Sequence, residues 1–380
     1  MGAKTFWLAF AVIAMAAVTG NATVVALAAD GLELSHLPVG AKARAWLPNL
    51  AKLDDGTILC AYVQGTAPRL DSIWITATKD AGRLWSDPVR VMESRRDGYI
   101  ADPNILALKG RVRVFATFVP DTQPVYSRSE TWVSESRDGG RHWSEPQGVP
   151  IPRKYVSGKV HVPIRLRDGT ILMGYSWEIG AEQGRPLGTE SRMTTRCGVL
   201  RSTDGEDHWQ PGEDVSVSEP MGADEPALVE LRDGSVFMVA RTGGPRPYEA
   251  ISRDGGLSWA DLKSSRFLGH NSPSALLRLA DGAILRVWDH SDKNRYPLVA
   301  SVSTDACRTW SSPKTITEPT REQGGGLSYR TACYPSIAQA QDGTILVVWW
   351  ETGSFGSRVG VARFSRAWLD GSPASSPTSR

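Results

Sequence analysis

Cysteine is scarce in this chain: Cys60, Cys197, Cys307 and Cys333 are four in 380 residues. None forms a Cys-X-X-Cys pair, which removes the usual cysteine-based zinc and redox motifs. Four cysteines allow three pairings and the sequence does not choose among them; Cys60 and Cys333 fall in strand-like runs, where buried free thiols are the plain expectation. The six histidines are scattered, so no metal and no cofactor are expected. Charge of one sign is also missing. The chain has 43 basic and 41 acidic residues, a net of +2, with no basic stripe and no charge block, which argues against a nucleic-acid partner. Long apolar runs are absent after the first thirty residues.

That first stretch has Lys4, an apolar run from Phe6 to Val18, and Ala26-Leu27-Ala28 before Ala29 and Asp30. Thr19, Gly20 and Asn21 interrupt it, short of the about 20 apolar residues that span a bilayer. The pattern is that of a signal peptide over residues 1–28, cleaved on export. The expected location is secreted or periplasmic, with no membrane span after cleavage. No cysteine near the cleavage region offers a lipid anchor.

What is abundant is glycine (37) and tryptophan (14), a composition of many turns and repeated aromatic plugs. Residues 224–259 set the pattern. An apolar run opens with the step Glu225-Pro226, where proline disfavours helix in the preceding residue. Asp233-Gly234 then stands between two apolar runs, a hairpin signal. The unit closes on Ser252-Arg253-Asp254-Gly255-Gly256-Leu257-Ser258-Trp259, a turn with short polar residues and glycines where φ can be positive. The proline step recurs at Pro48, Pro103, Pro163, Pro226, Pro273 and Pro335, and a glycine-centred hairpin at Gly56, Gly110, Gly169, Gly234, Gly282 and Gly343. The tryptophan-ended turn spans residues 78–85, 136–143, 202–209, 252–259 and 303–310, with Glu206 and Cys307 replacing glycine in two copies. Six modules of this kind predict an all-β, six-bladed β-propeller.

The propeller is expected over residues 30–370, followed by a disordered low-complexity tail at 371–380. The sixth module has its hairpin but no tryptophan-ended turn. Closing the ring therefore calls for the segment near Leu32 and Leu37 as an outer strand of the last blade.

Aligning the chain with itself on the six prolines puts Leu47, Asp102, Val162, Glu225, Ser272 and Tyr334 in one position. Trp46, Ala101, His161, Asp224, Asn271 and Cys333 stand one residue earlier. Equivalent positions of a propeller converge near its axis. Polar groups there are better explained by a water-lined pocket than by a packed core. Arg241, 16 residues after Glu225, and Glu351, 17 after Tyr334, end second strands where sister modules carry aromatic or apolar residues. Glu225, Arg241, Tyr334 and Glu351 are thus expected at one mouth.

These residues resemble the sialidase superfamily, in particular bacterial sialidase-like proteins with Asp-box repeats, and the resemblance covers nearly all of the chain after the leader. The five tryptophan-ended turns are its Asp boxes. The segment with Glu225 and Arg241 is similar to the one carrying the glutamate that activates the nucleophile and one arginine of a carboxylate-binding triad. The segment with Tyr334 and Glu351 is similar to the one carrying the tyrosine nucleophile and a late glutamate that orients an arginine. Asp102 matches the pocket aspartate of the second blade, and Arg295 the third arginine. The implied activity is release of terminal sialic acid, or a related acidic sugar, from glycoconjugates. Sialic acid carries a carboxylate on its anomeric carbon, which would repel a carboxylate nucleophile; a tyrosine in that role is a known exception among glycosidases. With an unperturbed pKa near 10 it needs a neighbouring base, and Glu225 is the candidate. Arginine suits a carboxylate through its planar fork of donors.

Two departures stand out. The family has Arg-Ile-Pro in blade one where this chain has Trp46-Leu47-Pro48. Arg44 is the candidate substitute, held by Glu351, while Trp46 suits the apolar face of a sugar. The acid/base aspartate of the family comes from the loop before the first box, where this chain has Thr66 and, five residues on, Asp71. Two other readings stay open. One is another carbohydrate-active enzyme, hydrolase or lyase, with His161 and Tyr334 as the proton-transfer pair. The other is a glycan-binding propeller without catalysis, with Trp46, Arg241 and Arg295 as its site. The expected partner in every case is a carbohydrate, and the expected state is a monomer.

Overall fold

The computed structural model describes residues 31–39, 43–65, 72–94, 98–120, 128–157, 160–183, 195–206, 208–319 and 331–371, together with the backbone of Ala26–Ala28. Residues 1–25, which hold most of the expected leader, and residues 372–380 of the expected tail lie outside them, as do Thr66 and Asp71. Six antiparallel sheets follow one another along the chain. Blade one is Arg44–Lys52, Ile58–Gly65, Ser72–Thr78 and Val89–Glu93; blade four, its clearest sister, is Asp224–Glu230, Val236–Arg241, Tyr248–Ser252 and Ala260–Ser264. Blade three is the least regular, its inner edge split between Val156–Ser157 and Ile164–Arg165. The sixth blade takes its outer strand from the beginning of the chain: Leu32–His36 pairs antiparallel with Gly356–Phe364. Ala26–Ala28 adds one more strand outside it. The ring closes as the six modules require.

The second strands show why each module is a blade. Residues alternate sides along a strand, and these strands are buried on both faces, so they read as continuous apolar runs. Leu59, Ala61 and Val63 pack toward blade two, whereas Ile58, Cys60 and Tyr62 pack toward blade six. Each of the six gaps between neighbouring blades is filled by one such cluster. The box tryptophans plug the gap to the preceding blade, Trp85 against blade six and Trp310 against blade four.

The box turn is held by its serine and aspartate. In the second, the Ser136 hydroxyl donates to Asp138 at 2.9 Å and accepts Gly140 N–H at 2.9 Å, and Asp138 Oδ1 accepts the amides of Arg141 and His142 at 3.0 Å each. These bonds pull the Asp138 carboxyl below the ordinary carboxylate range. The two irregular boxes use their replaced glycine to reach the preceding blade. Glu206 keeps the turn's positive φ of 80° and meets Arg111 and Arg113 of blade two at 3.1 Å each. Cys307 packs into the gap between blades four and five. All four cysteines are buried free thiols.

Neighbouring strands run in opposite directions. The Asp-Gly hairpins and the boxes therefore lie at one end of the ring, and the starts of the inner strands at the other.

Candidate functional site

The site is built from a backbone irregularity that the proline step marks. Glu225 has φ 41°, Tyr334 55°, Asp102 52° and Leu47 50°, all immediately before a module proline. The ladder shifts register at each: between Asp224 and Ala227, Cys333 and Ser336, Ala101 and Asn104, Trp46 and Asn49. These are β-bulges, in which two residues oppose one and a side chain is re-aimed out of the in-out alternation. Proline has no N–H for the ladder, so the break falls where a hydrogen bond is lost in any case. A non-glycine residue at positive φ costs of order 1–3 kcal/mol and gathers at functional sites. In blade five the strained residue is one earlier, Asn271 at 49°.

Two of these bulges meet across the axis. The Tyr334 hydroxyl donates to Glu225 Oε1 at 2.8 Å, and Arg241 Nη1 donates to the same hydroxyl at 2.9 Å. Arg241 Nη1 also bonds Glu225 Oε2. Asp224, opposite Arg241 in the ladder, lies 4.0 Å from it. Asn271 Oδ1 accepts Arg241 Nε at 3.0 Å and Nη2 at 2.6 Å. The Ser176 hydroxyl of blade three accepts Glu225 N–H at 2.7 Å. The Arg295 guanidinium stands 5.7 Å from the centre of the Tyr334 ring.

Burial governs the electrostatics. It lifts the Glu225 carboxyl to about 7, against the opposing pull of Arg241. It also lifts the Tyr334 phenol well above its ordinary value, with Arg241 and Arg295 opposing. For Arg241, burial alone would favour loss of the proton, but Glu225 and its neighbours outweigh it and hold the guanidinium charged. Asp289, at the second-strand end of blade five, is buried and pushed up to about 7, with Ser272 and Arg295 as counterweights.

The other expected site residues are placed differently. Asp102 lies on the wall of blade two, where its Oδ2 accepts the Thr117 hydroxyl at 3.0 Å, within electrostatic reach of Tyr155 along with Tyr99 and Asp224. Glu351 does not hold Arg44. Its oxygens take His36 Nε2 at 3.0 Å, Trp349 Nε1 at 3.0 Å and Arg358 Nε. The reason is strand alternation: Leu346 and Val348 face blade one, whereas Ile345, Val347 and Trp349 face blade five, and Glu351 follows the second set. Arg44 is exposed beside Gly356 at the rim. Trp46 is partly buried and packs into the gap between blades one and two. It is a wedge rather than an open platform, and Leu47 takes the axial bulge. His161 lines a central channel of about 510 Å³. Burial drives its pKa down to about 3, and its Nε2 is buried with no hydrogen-bond partner among the described residues.

Asn271 and Asp224 were expected only among the polar residues of the axial pocket, in the self-alignment column two residues before the module prolines, with no role assigned, and Asp289 was not expected there. Asp289 ends its second strand as Arg241 ends its own. Nothing in the sequence marks Tyr99 or Tyr155. Among the described residues, no group of three or more His, Cys, Asp or Glu is disposed to hold a metal ion, and no helix is long and apolar enough to cross a membrane.

A closed ring of six blades, five of them carrying Asp boxes, with a tyrosine and a glutamate hydrogen-bonded at one mouth, is a propeller with the fold of the sialidases. The sequence profile of the BNR repeat-like domain family matches residues 56–347, and the chain belongs to that family. No curated protein matches the sequence. Among solved structures, a protein of unknown function from Dyadobacter fermentans is similar with a TM-score of 0.71 at 20% identity, over 88% of this chain and 99% of that one. A Hadza microbial sialidase gives 0.68 at 17%, over 86% and 66%. Trypanosoma rangeli sialidase gives 0.67 at 14%, over 92% and 58%. At these identities the likeness is one of fold, and the chain spans about two thirds or less of the two sialidases.

Proposed function

We propose that the protein is an exported exo-glycosidase of sialidase type that releases a terminal acidic sugar, sialic acid or a close relative, through a tyrosine nucleophile. The observation that carries this is the 2.8 Å hydrogen bond from the Tyr334 hydroxyl to Glu225, with Arg241 donating to both. A phenol and its base already in contact meet the geometric condition for an activated nucleophile. A glutamate with a pKa of about 7 is also matched to accepting a proton near neutrality. Trypanosoma rangeli sialidase has been crystallised with sialic acid, which makes that sugar the first substrate to try.

In the reaction, Glu225 takes the phenolic proton as the Tyr334 oxygen bonds to the anomeric carbon, and the bond to the aglycone oxygen breaks. The departing oxygen needs a proton. Asp71 is the carboxyl that the loop before the first box offers, and Asp102 is the one on the pocket wall. Water then displaces the tyrosyl oxygen, and the proton returns through Glu225. The substrate carboxylate is met by Arg295 at the face of the Tyr334 ring.

A second reading rests on Trp46 and Leu47, which leave blade one without an axial arginine. With one cationic corner fewer, an acidic sugar other than sialic acid, a uronic acid for example, becomes the alternative substrate. A panel of fluorogenic sialosides and uronides tests both. Tyr334→Phe is expected to lower turnover of the accepted substrate by about a thousandfold or more with the fold unchanged. Near-normal turnover by that variant removes the tyrosine mechanism.

A further inference from the structure

We propose that Asn271 is a positioning residue that, through Arg241, clamps the nucleophile and its base. The inference rests on the reading above and concerns how the couple is held.

A guanidinium has five N–H donors and no acceptor. Nε–H and one Nη2–H of Arg241 go to the single Oδ1 of Asn271, at 3.0 and 2.6 Å. The two Nη1 donors go to Glu225 Oε2 and the Tyr334 hydroxyl. One Nη2–H remains.

Asparagine suits this place for three reasons. Arginine can only donate, so the amide must present its oxygen. The amide is neutral and adds no second charge competing with Glu225 for the guanidinium. Asparagine is also among the few residues enriched at positive φ, and Asn271 sits at 49°. The strained backbone of blade five thus fixes which edge of Arg241 faces the couple contributed by blades four and six.

The test is Asn271→Gly, which accepts the same φ and removes only the acceptor. Tyrosine labelled with 13C at Cζ reports on Tyr334 directly, its resonance assigned by its loss in Tyr334→Phe. In Asn271→Gly that resonance is expected to move. The acid limb of kcat/KM should shift to higher pH, because Glu225 must be ionised to act as a base and loses its fixed cation. The kcat should fall on the order of 10–100-fold, with a smaller change in KM. In the parent protein the Nε–H of Arg241 should exchange slowly with solvent, a reading that needs no variant. A Tyr334 resonance and acid limb both unchanged in Asn271→Gly, or a fast-exchanging Nε–H in the parent, would overturn the proposal. Full turnover by Tyr334→Phe would instead remove the tyrosine mechanism of the reading above, while the resonance of the parent still reports on the clamp.

Discussion

The two ends of this ring handle the same problems in opposite ways. At the box end, positive φ falls largely on turn glycines such as Gly139, Gly140, Gly255 and Gly256, where it carries little strain. At the mouth it falls on Leu47, Asp102, Glu225, Asn271 and Tyr334, where it does. The carboxylates differ likewise. Asp138 is exposed, is satisfied by two amides and a hydroxyl, and is held below its ordinary pKa. Glu225 and Asp289 are buried and lifted to about 7. One end is built for stability, and the other carries backbone strain and buried charge where Tyr334, Glu225 and Arg241 meet.

The largest break in that comparison is expected from Arg241→Leu. Removing a cation from a buried pair leaves Glu225 uncompensated, with a loss of about 3–5 kcal/mol in chemical denaturation. Turnover should vanish with it. A variant as stable and as active as the parent would mean that the clamp is not needed.

At the other end, Ser252→Ala strips the buried hydroxyl that accepts Gly256 N–H at 2.7 Å and donates to Asp254. A buried donor left unpaired costs about 1–3 kcal/mol, so the melting temperature should drop while KM stays put. A selective loss of substrate affinity in the folded variant would mean that a box reaches the site.

Much of this contrast was legible in the sequence. The boxes and Asp-Gly hairpins are local: each is a contiguous string whose hydrogen bonds run within a few residues, so counting them yielded six blades. The pairing of Tyr334 with Glu225 was legible because both precede a module proline, and repeat symmetry turns a shared sequence position into a shared place in space. Glu351 shows the limit. Its partner depends on which face of its strand it occupies, and one residue of alternation sends it to His36 and Arg358 instead of Arg44. Asn271 shows another, since blade five places its positive φ one residue earlier than its sisters do, away from the residue next to the proline.

Asp289→Asn sharpens the electrostatic half of the comparison through pH. The folded pKa, about 7, exceeds the ordinary aspartate value. The fold therefore binds this proton more tightly than the unfolded chain does, and the resulting stability is present at low pH and lost as pH rises through 7. Asparagine does not titrate. Its stability advantage over the parent should grow by on the order of 4 kcal/mol between about pH 4 and 7 and then level off. An advantage that does not change with pH would contradict the buried, protonated carboxyl. The smallest effect is expected from Arg44→Gln, an exposed rim residue: kcat/KM within about twofold of the parent and stability within about 0.5 kcal/mol.

The central claim, that Tyr334 attacks with Glu225 as its base, is tested most directly by trapping. The acidic sugar that the parent hydrolyses is supplied with fluorine at the anomeric carbon as leaving group and a second fluorine on the adjacent carbon to slow release. Fluoride should depart as the tyrosyl oxygen bonds to the anomeric carbon. Peptide mass mapping should then find one sugar attached at Tyr334, and none in Tyr334→Phe. A sugar on any other residue, or steady hydrolysis of the substrate without an adduct at Tyr334, would contradict the account.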